Sequence, residues 1–151
     1  MSLLGRIIVI AFAVMLASMA AGIAIAMGVL GPQWHGFSGE IGERVGFWML
    51  AFAATSFTGA VGLLPLAIMI AIAESFKIRS LLVHAAAGAA MLVIGYYGSG
   101  LSKPYEESID SPPPPIAREV EIAAAAGVVF GLVYWVIAGR KAGRWREPRN
   151  V

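Results

Sequence analysis

The sequence predicts an all-α integral membrane protein, a bundle of four transmembrane helices. Three observations carry this. The chain of 151 residues is 59% hydrophobic and has a mean hydropathy of +0.80, where soluble domains average roughly 45–50% apolar by a similar count. Four apolar runs are each long enough to rank as a span, which takes roughly 20 residues. The basic residues collect beside alternate ends of those runs, the pattern that orients membrane helices.

The first run covers 7–30 and is closed by Gly31-Pro32. It carries no charge. Arg6 before it and Ala24-Ile25-Ala26 within it also resemble the parts of a signal peptide, but apolar signal cores are about 7–15 residues, so a retained helix is expected. The second run, 45–73, is longer than a hydrocarbon core of about 30 Å requires at about 1.5 Å per residue. Pro65 lies inside it, preceded by Gly59 and Gly62. Proline removes the donor for the Val61 carbonyl, so a kink is predicted there. The third run, 78–97, follows so closely that the two form an antiparallel hairpin. The fourth, 122–139, has Glu119 and Glu121 expected in its first turn and Arg140 and Lys141 closing its last, both favourable to the helix dipole. A proline-rich loop, 98–117, precedes it. Pro112 to Pro115 in that loop read as an extended polyproline II strut. The whole chain is one membrane domain, 1–151, ending in a basic tail, 140–151.

Arg6, the pair Lys77 and Arg79, and the basic tail share one side only if the chain crosses four times. By the positive-inside rule that side is cytoplasmic, with both termini on it, in a bacterial inner membrane. Trp34, Trp48, Tyr96, Tyr97, Trp135 and Trp145 fall near the expected interfaces. The net charge of +2 comes from this clustering, with five of the eleven basic residues in the last twelve positions. It therefore points to a membrane anchor and not to nucleic acid.

Lipid gives helices no hydrophobic reason to associate, so small residues mark the faces where backbones approach. Such stripes are Ser18, Gly22 and Ala26 in the first run, and Thr55, Thr58, Gly59 and Gly62 in the second. The third has His84, Gly88, Met91 and Gly95, and the fourth Ala123, Gly127 and Gly131. Packing within the bundle is the expected use of each. A partner helix is the functional alternative.

Chemistry has little to stand on. Without cysteine there is no disulfide, thiolate ligand or cysteine nucleophile, and membrane enzymes that make disulfides are excluded. No phosphate loop or zinc-protease helix occurs, nor the first-span glutamate of small multidrug transporters. Ionisable residues within spans are the first suspects. Glu74, at the end of the second run, and His84, just inside the third, belong with Lys77 and Arg79 to one polar corner. A proton relay would use Glu74 and His84, because a neighbouring carboxylate raises a histidine pKa. The plainer expectation pairs Glu74 with Arg79 and gives His84 a backbone carbonyl or a serine hydroxyl. His35 and His84 lie most of a bilayer apart, so one subunit cannot hold a bis-histidine haem. Methionine ligation or a haem shared between subunits are the routes left, and no cofactor or metal is expected. Trp34-His35-Gly36-Phe37, with Glu40 and Glu43, reads as a wet interfacial loop, since metal sites need three or four ligands. Thr55, Ser56 and Thr58 are expected to bond their own backbone, the usual habit of hydroxyls in membrane helices.

The stretch Gly131-Leu132-Val133-Tyr134-Trp135-Val136-Ile137-Ala138-Gly139-Arg140 and the alanine-rich style resemble small uncharacterised four-helix inner-membrane proteins of alphaproteobacteria. The resemblance implies a layout and no activity. The function expected is therefore a non-enzymatic one: an accessory, scaffolding or assembly component of a larger membrane system, with lipid and a membrane-protein partner or a second copy as its contacts. The alternative is a small oligomeric transporter or channel subunit working through Glu74 and His84.

Overall fold

The computed structural model describes residues 3–31, 39–100 and 117–143. The Trp34–Phe37 loop, the proline run 112–115 and the tail beyond 143 lie outside them. The described residues are helical: α1 (Leu3–Leu30), α2 (Ile41–Ser75), α3 (Leu81–Gly98), α4 (Arg118–Ile137), then a 3-10 turn (Gly139–Lys141). α1, α3 and α4 are each long and apolar enough to cross a membrane, and α2 is a fourth if its two halves count as one span.

α2 is bent by 63° between Ile41–Ala60 and Pro65–Ser75, at the proline where the ladder loses a donor. Three helices start earlier than their apolar runs, because polar first turns are helical too. α1 takes Arg6 into its first turn, α2 takes Glu43 and Arg44, and α4 takes Glu119 and Glu121. α3 starts three residues later than its run, at Leu81. α4 ends at Ile137, so Arg140 and Lys141 fall in the 3-10 turn and not in the last helical turn. Arg140 still serves that end, donating to the Val136 carbonyl through Nε (3.0 Å) and Nη2 (2.8 Å), as basic residues near a helix C-terminus do.

The connection from α2 to α3 is a Schellman stop. Ile78 N donates to Ala73 O at 2.9 Å, and Lys77 holds the left-handed position, φ 54°, where glycine is usual. At the far end of α1, Gly31 takes the equivalent conformation, φ 73°.

Three seams hold the helices. Across α1 and α2, a Cβ on Gly22 would come within 2.7 Å of the Ala51 carbonyl, while Ala26 packs with Phe47 and Ala51. Across α1 and α4, Ala13, Ala17 and Ala21 share a core with Ala126, Phe130 and Tyr134. The α3–α4 seam is tightest. A Cβ on Gly127 would lie 2.6 Å from Ala89 Cα, and one on Gly131 would lie 2.8 Å from Ala85 Cα. Gly88 faces the same backbone, where a Cβ would lie 3.0 Å from Gly131 N. α2 and α3 are neighbours in sequence yet meet little; Met91 approaches Gly62, where a Cβ would lie 3.6 Å from its Cε. Among the described residues a Cβ on Gly59 would meet nothing within 4 Å, so a stripe of small residues on a bent helix does not all face one neighbour.

The large apolar side chains of α1 and of the first half of α2, among them Phe12, Met15, Trp48, Met49 and Phe52, point outward. The core is largely alanine and glycine. That inversion is what hydrocarbon solvent allows: bulk faces lipid, and small residues let backbones close.

Candidate functional site

One end of the bundle gathers the start of α1, the end of α2, the start of α3 and the end of α4. The hub is Arg6, 2% exposed, with Glu74, 9% exposed. Arg6 Nε donates to Glu74 Oε1 at 2.9 Å, and Nη2 donates to the same oxygen. Nη2 also reaches Ala138 O at 2.9 Å, a carbonyl at the negative end of α4. The other carboxylate oxygen, Glu74 Oε2, accepts Gly143 N at 2.9 Å. Gly143 has φ 73°, and a Cβ there would sit 2.5 Å from Lys77 Cγ. Position 143 is thus glycine for two reasons: backbone conformation and space. A buried charge is costly unless paired and hydrogen-bonded. Here both carboxylate oxygens are engaged, and one ion pair ties α1, α2 and the C-terminal turn.

The expected pairing of Glu74 with Arg79 is replaced by Glu74 with Arg6. Arg79 Nε donates instead to Ala142 O at 3.1 Å, and the Arg79 carbonyl accepts Trp135 Nε1 at 2.7 Å. Arg140 lies over the Trp135 ring, 5.5 Å from its centroid. Arg6 was legible as a flank charge and not as a partner. Its signal was present nonetheless: it is the one Asp, Glu, Lys or Arg in the first 39 residues, and Glu74 is the one acid between Glu43 and Glu106. Antiparallel runs place that pair at the same depth.

His84, 8% exposed, bonds a backbone carbonyl. Its Nδ1 lies 2.8 Å from Ser80 O. A carbonyl only accepts, so Nδ1 carries the proton, and in neutral His84 Nε2 is the bare acceptor. Nε2 is buried and has no partner among the described residues, as is Arg6 Nη1. The ring stacks on Tyr134 with centroids 5.8 Å apart and planes at 23°. Its other edge lies against Gly139, where a Cβ would come 3.0 Å from Nε2.

Beside His84, between α3, α4 and the half of α2 after Pro65, lies a cavity of about 50 Å³. Leu66, Met69, Met91 and Phe130 are in its walls with His84 and Tyr134, and no charged side chain lines it. The half of α2 after Pro65, bent from the first half by 63°, supplies one wall of this space through Leu66, Met69 and Ile70. The hydroxyls of Thr55, Ser56 and Thr58 are spent on Ala51, Phe52 and Ala54 carbonyls one turn back, at 2.8, 3.0 and 2.8 Å.

No family model, no curated protein and no solved structure matches this chain. Function has to be read from the geometry.

Proposed function

We propose that the chain is a four-span inner-membrane protein of bacteria with both termini in the cytoplasm, acting as a non-enzymatic accessory or assembly component of a larger membrane system. One observation carries this reading: both oxygens of the buried Glu74 carboxylate are engaged. Arg6 Nε and Nη2, Glu74, Ala138 O and Gly143 N form one bonded group, an arrangement suited to holding the ends of α1, α2 and α4 together. A carboxylate bound on both oxygens is poorly placed to hand protons to His84. The outward faces of α1 and α2, rich in Phe, Met and Trp, suit lipid or a partner's helices. The basic residues Lys77, Arg79, Arg140 and Lys141, all exposed at the tied end, suit an anionic leaflet.

The transport reading keeps one observation, the buried and unpartnered Nε2 of His84 beside a cavity. The two readings part in one experiment. The protein is extracted from its native membrane in a mild detergent, and whatever accompanies it is identified with stoichiometry. A fixed-ratio complex with another membrane protein is expected. A homo-oligomer alone would overturn the accessory reading.

A further inference from the structure

We propose that the exposed ridge where the α2–α3 connection meets the turn after α4 binds the head of an anionic phospholipid, its phosphate held among Lys77, Arg79, Arg140 and Lys141 around Trp135. The inference deepens the reading of this end as leaflet-facing and rests on it, but it needs no protein partner.

Three observations carry it. First, the fold gathers cations that the sequence keeps apart. Arg79 Nε donates to Ala142 O, 63 residues along the chain, at 3.1 Å. A Cβ on Gly143 would lie 2.5 Å from Lys77 Cγ. Lys77 and Arg79 therefore stand beside the turn that carries Arg140 and Lys141, and all four are exposed.

Second, these cations have a frame. Trp135 Nε1 donates to the Arg79 carbonyl at 2.7 Å, and Arg140 Cζ lies 5.5 Å from the centroid of the same ring. Val136 O takes Arg140 Nε and Nη2. One indole thus braces the Arg140 side chain and the Arg79 backbone, so charge is positioned before a ligand arrives and less ordering remains to be done on binding.

Third, no acid competes. Among the described residues the one ion pair is Arg6–Glu74, and both oxygens of Glu74 are engaged. The other described acids, Glu40, Glu43, Glu119 and Glu121, stand at the starts of α2 and α4, at the far end. The ammonium of a zwitterionic head finds no counter-charge on the ridge, so four cations select a head with net negative charge. The phosphate belongs to a lipid, because hydrocarbon-facing side chains adjoin the cations. Val136, one turn before Arg140, is 49% exposed, and Leu82, three residues after Arg79, is 76% exposed. They offer acyl chains a surface that a free phosphate does not use.

The test is native mass spectrometry of the full-length protein in detergent, titrated with phosphatidylglycerol or with phosphatidylcholine of the same acyl chains. At about 0.15 M ammonium acetate, exposed charges more than about 8 Å apart are largely screened. Phosphatidylglycerol is expected to bind about fivefold more tightly or better, the worth of one basic residue near a headgroup. Arg140→Gln and Lys141→Gln should each lower its affinity about fivefold and leave phosphatidylcholine unchanged, while Arg44→Gln at the far end should alter neither. Trp135→Phe keeps every charge but weakens the bracing, and should cost about two- to fivefold. Excess glycerol 3-phosphate should leave most of the lipid bound. Equal affinity for the two lipids on the native protein would overturn the proposal, whether or not any variant folds. Displacement by glycerol 3-phosphate as effective as by lipid would overturn the lipid assignment. A loss from Arg44→Gln as large as from Arg140→Gln, or full binding by Trp135→Phe, would reduce the ridge to diffuse charge. Binding in detergent is read without topology or partner, so its failure leaves the accessory reading standing, and a missing partner leaves the lipid site standing.

Discussion

Arg6 and Glu74, 68 residues apart in the chain, meet as a buried ion pair that joins the start of α1 to the end of α2. Through Ala138 O and Gly143 N the same pair holds the end of α4 and the turn beyond it. Removing one partner takes the ion-pair bonds away from the other buried charge, a loss of about 3–5 kcal/mol for buried pairs. Arg6→Ala and Glu74→Ala should therefore each lower the unfolding midpoint strongly in detergent. The double variant Arg6→Met/Glu74→Leu should recover most of the loss, because replacing a whole buried pair by apolar groups is often near neutral. Thermal unfolding of the three variants checks this; a double variant as weak as the singles would show that the backbone bonds and not the charges matter.

The α3–α4 seam separates glycines that approach backbone from glycines that do not. A Cβ on Gly127 would lie 2.6 Å from Ala89 Cα, whereas one on Gly59 would meet nothing within 4 Å. Gly127→Ala should destabilise by about 1–3 kcal/mol or more, the usual cost of overpacking. Gly59→Ala should be neutral or stabilise by up to about 1 kcal/mol through helix propensity. Paired denaturation curves in one detergent compare them directly.

How far the sequence could be read follows from what each signal depends on. Helix number and order came from apolar runs, and the bend from Pro65, because these are local properties. The α3 stripe of His84, Gly88, Met91 and Gly95 is buried throughout, since a straight helix keeps a four-residue spacing on one face. A Cβ on Gly59 meets no neighbour among the described residues, since spacing alone does not say where a bent helix turns its faces. The Arg6–Glu74 pair was missed for another reason. Arg6 was assigned to the membrane surface, and partner choice among Arg6, Lys77 and Arg79 depends on how the helices come together. The acceptor state of His84 Nε2 rests on a hydrogen bond to Ser80 O, which only coordinates reveal.

Because the chain has no cysteine, single cysteines report topology without background. Glu40 caps the start of α2 and is exposed, Ser75 ends the same helix, and Lys141 lies at the same end of the bundle as Glu74. Four spans with cytoplasmic termini require Ser75→Cys and Lys141→Cys to react with an impermeant maleimide only in inverted vesicles. Glu40→Cys should react in intact spheroplasts. A re-entrant α2 would put Glu40 and Ser75 on one side, and both would then label together.

Pro65 should set the width of the cavity. Its removal restores the donor for the Val61 carbonyl and lets the two halves of α2, bent by 63°, approach a straight course. Spin labels on exposed Val45 and Ile72, introduced as cysteines, measure the change. A bend of 63° at about 1.5 Å per residue shortens that distance by about 5 Å relative to a straight helix, so Pro65→Ala should lengthen it by up to that amount. Straightening also moves Leu66, Met69 and Ile70, which form the α2 wall of the cavity. An unchanged distance would place the cause of the bend in the packing of Pro65–Ser75 against α1, through Glu74 and Arg6, and not in the proline.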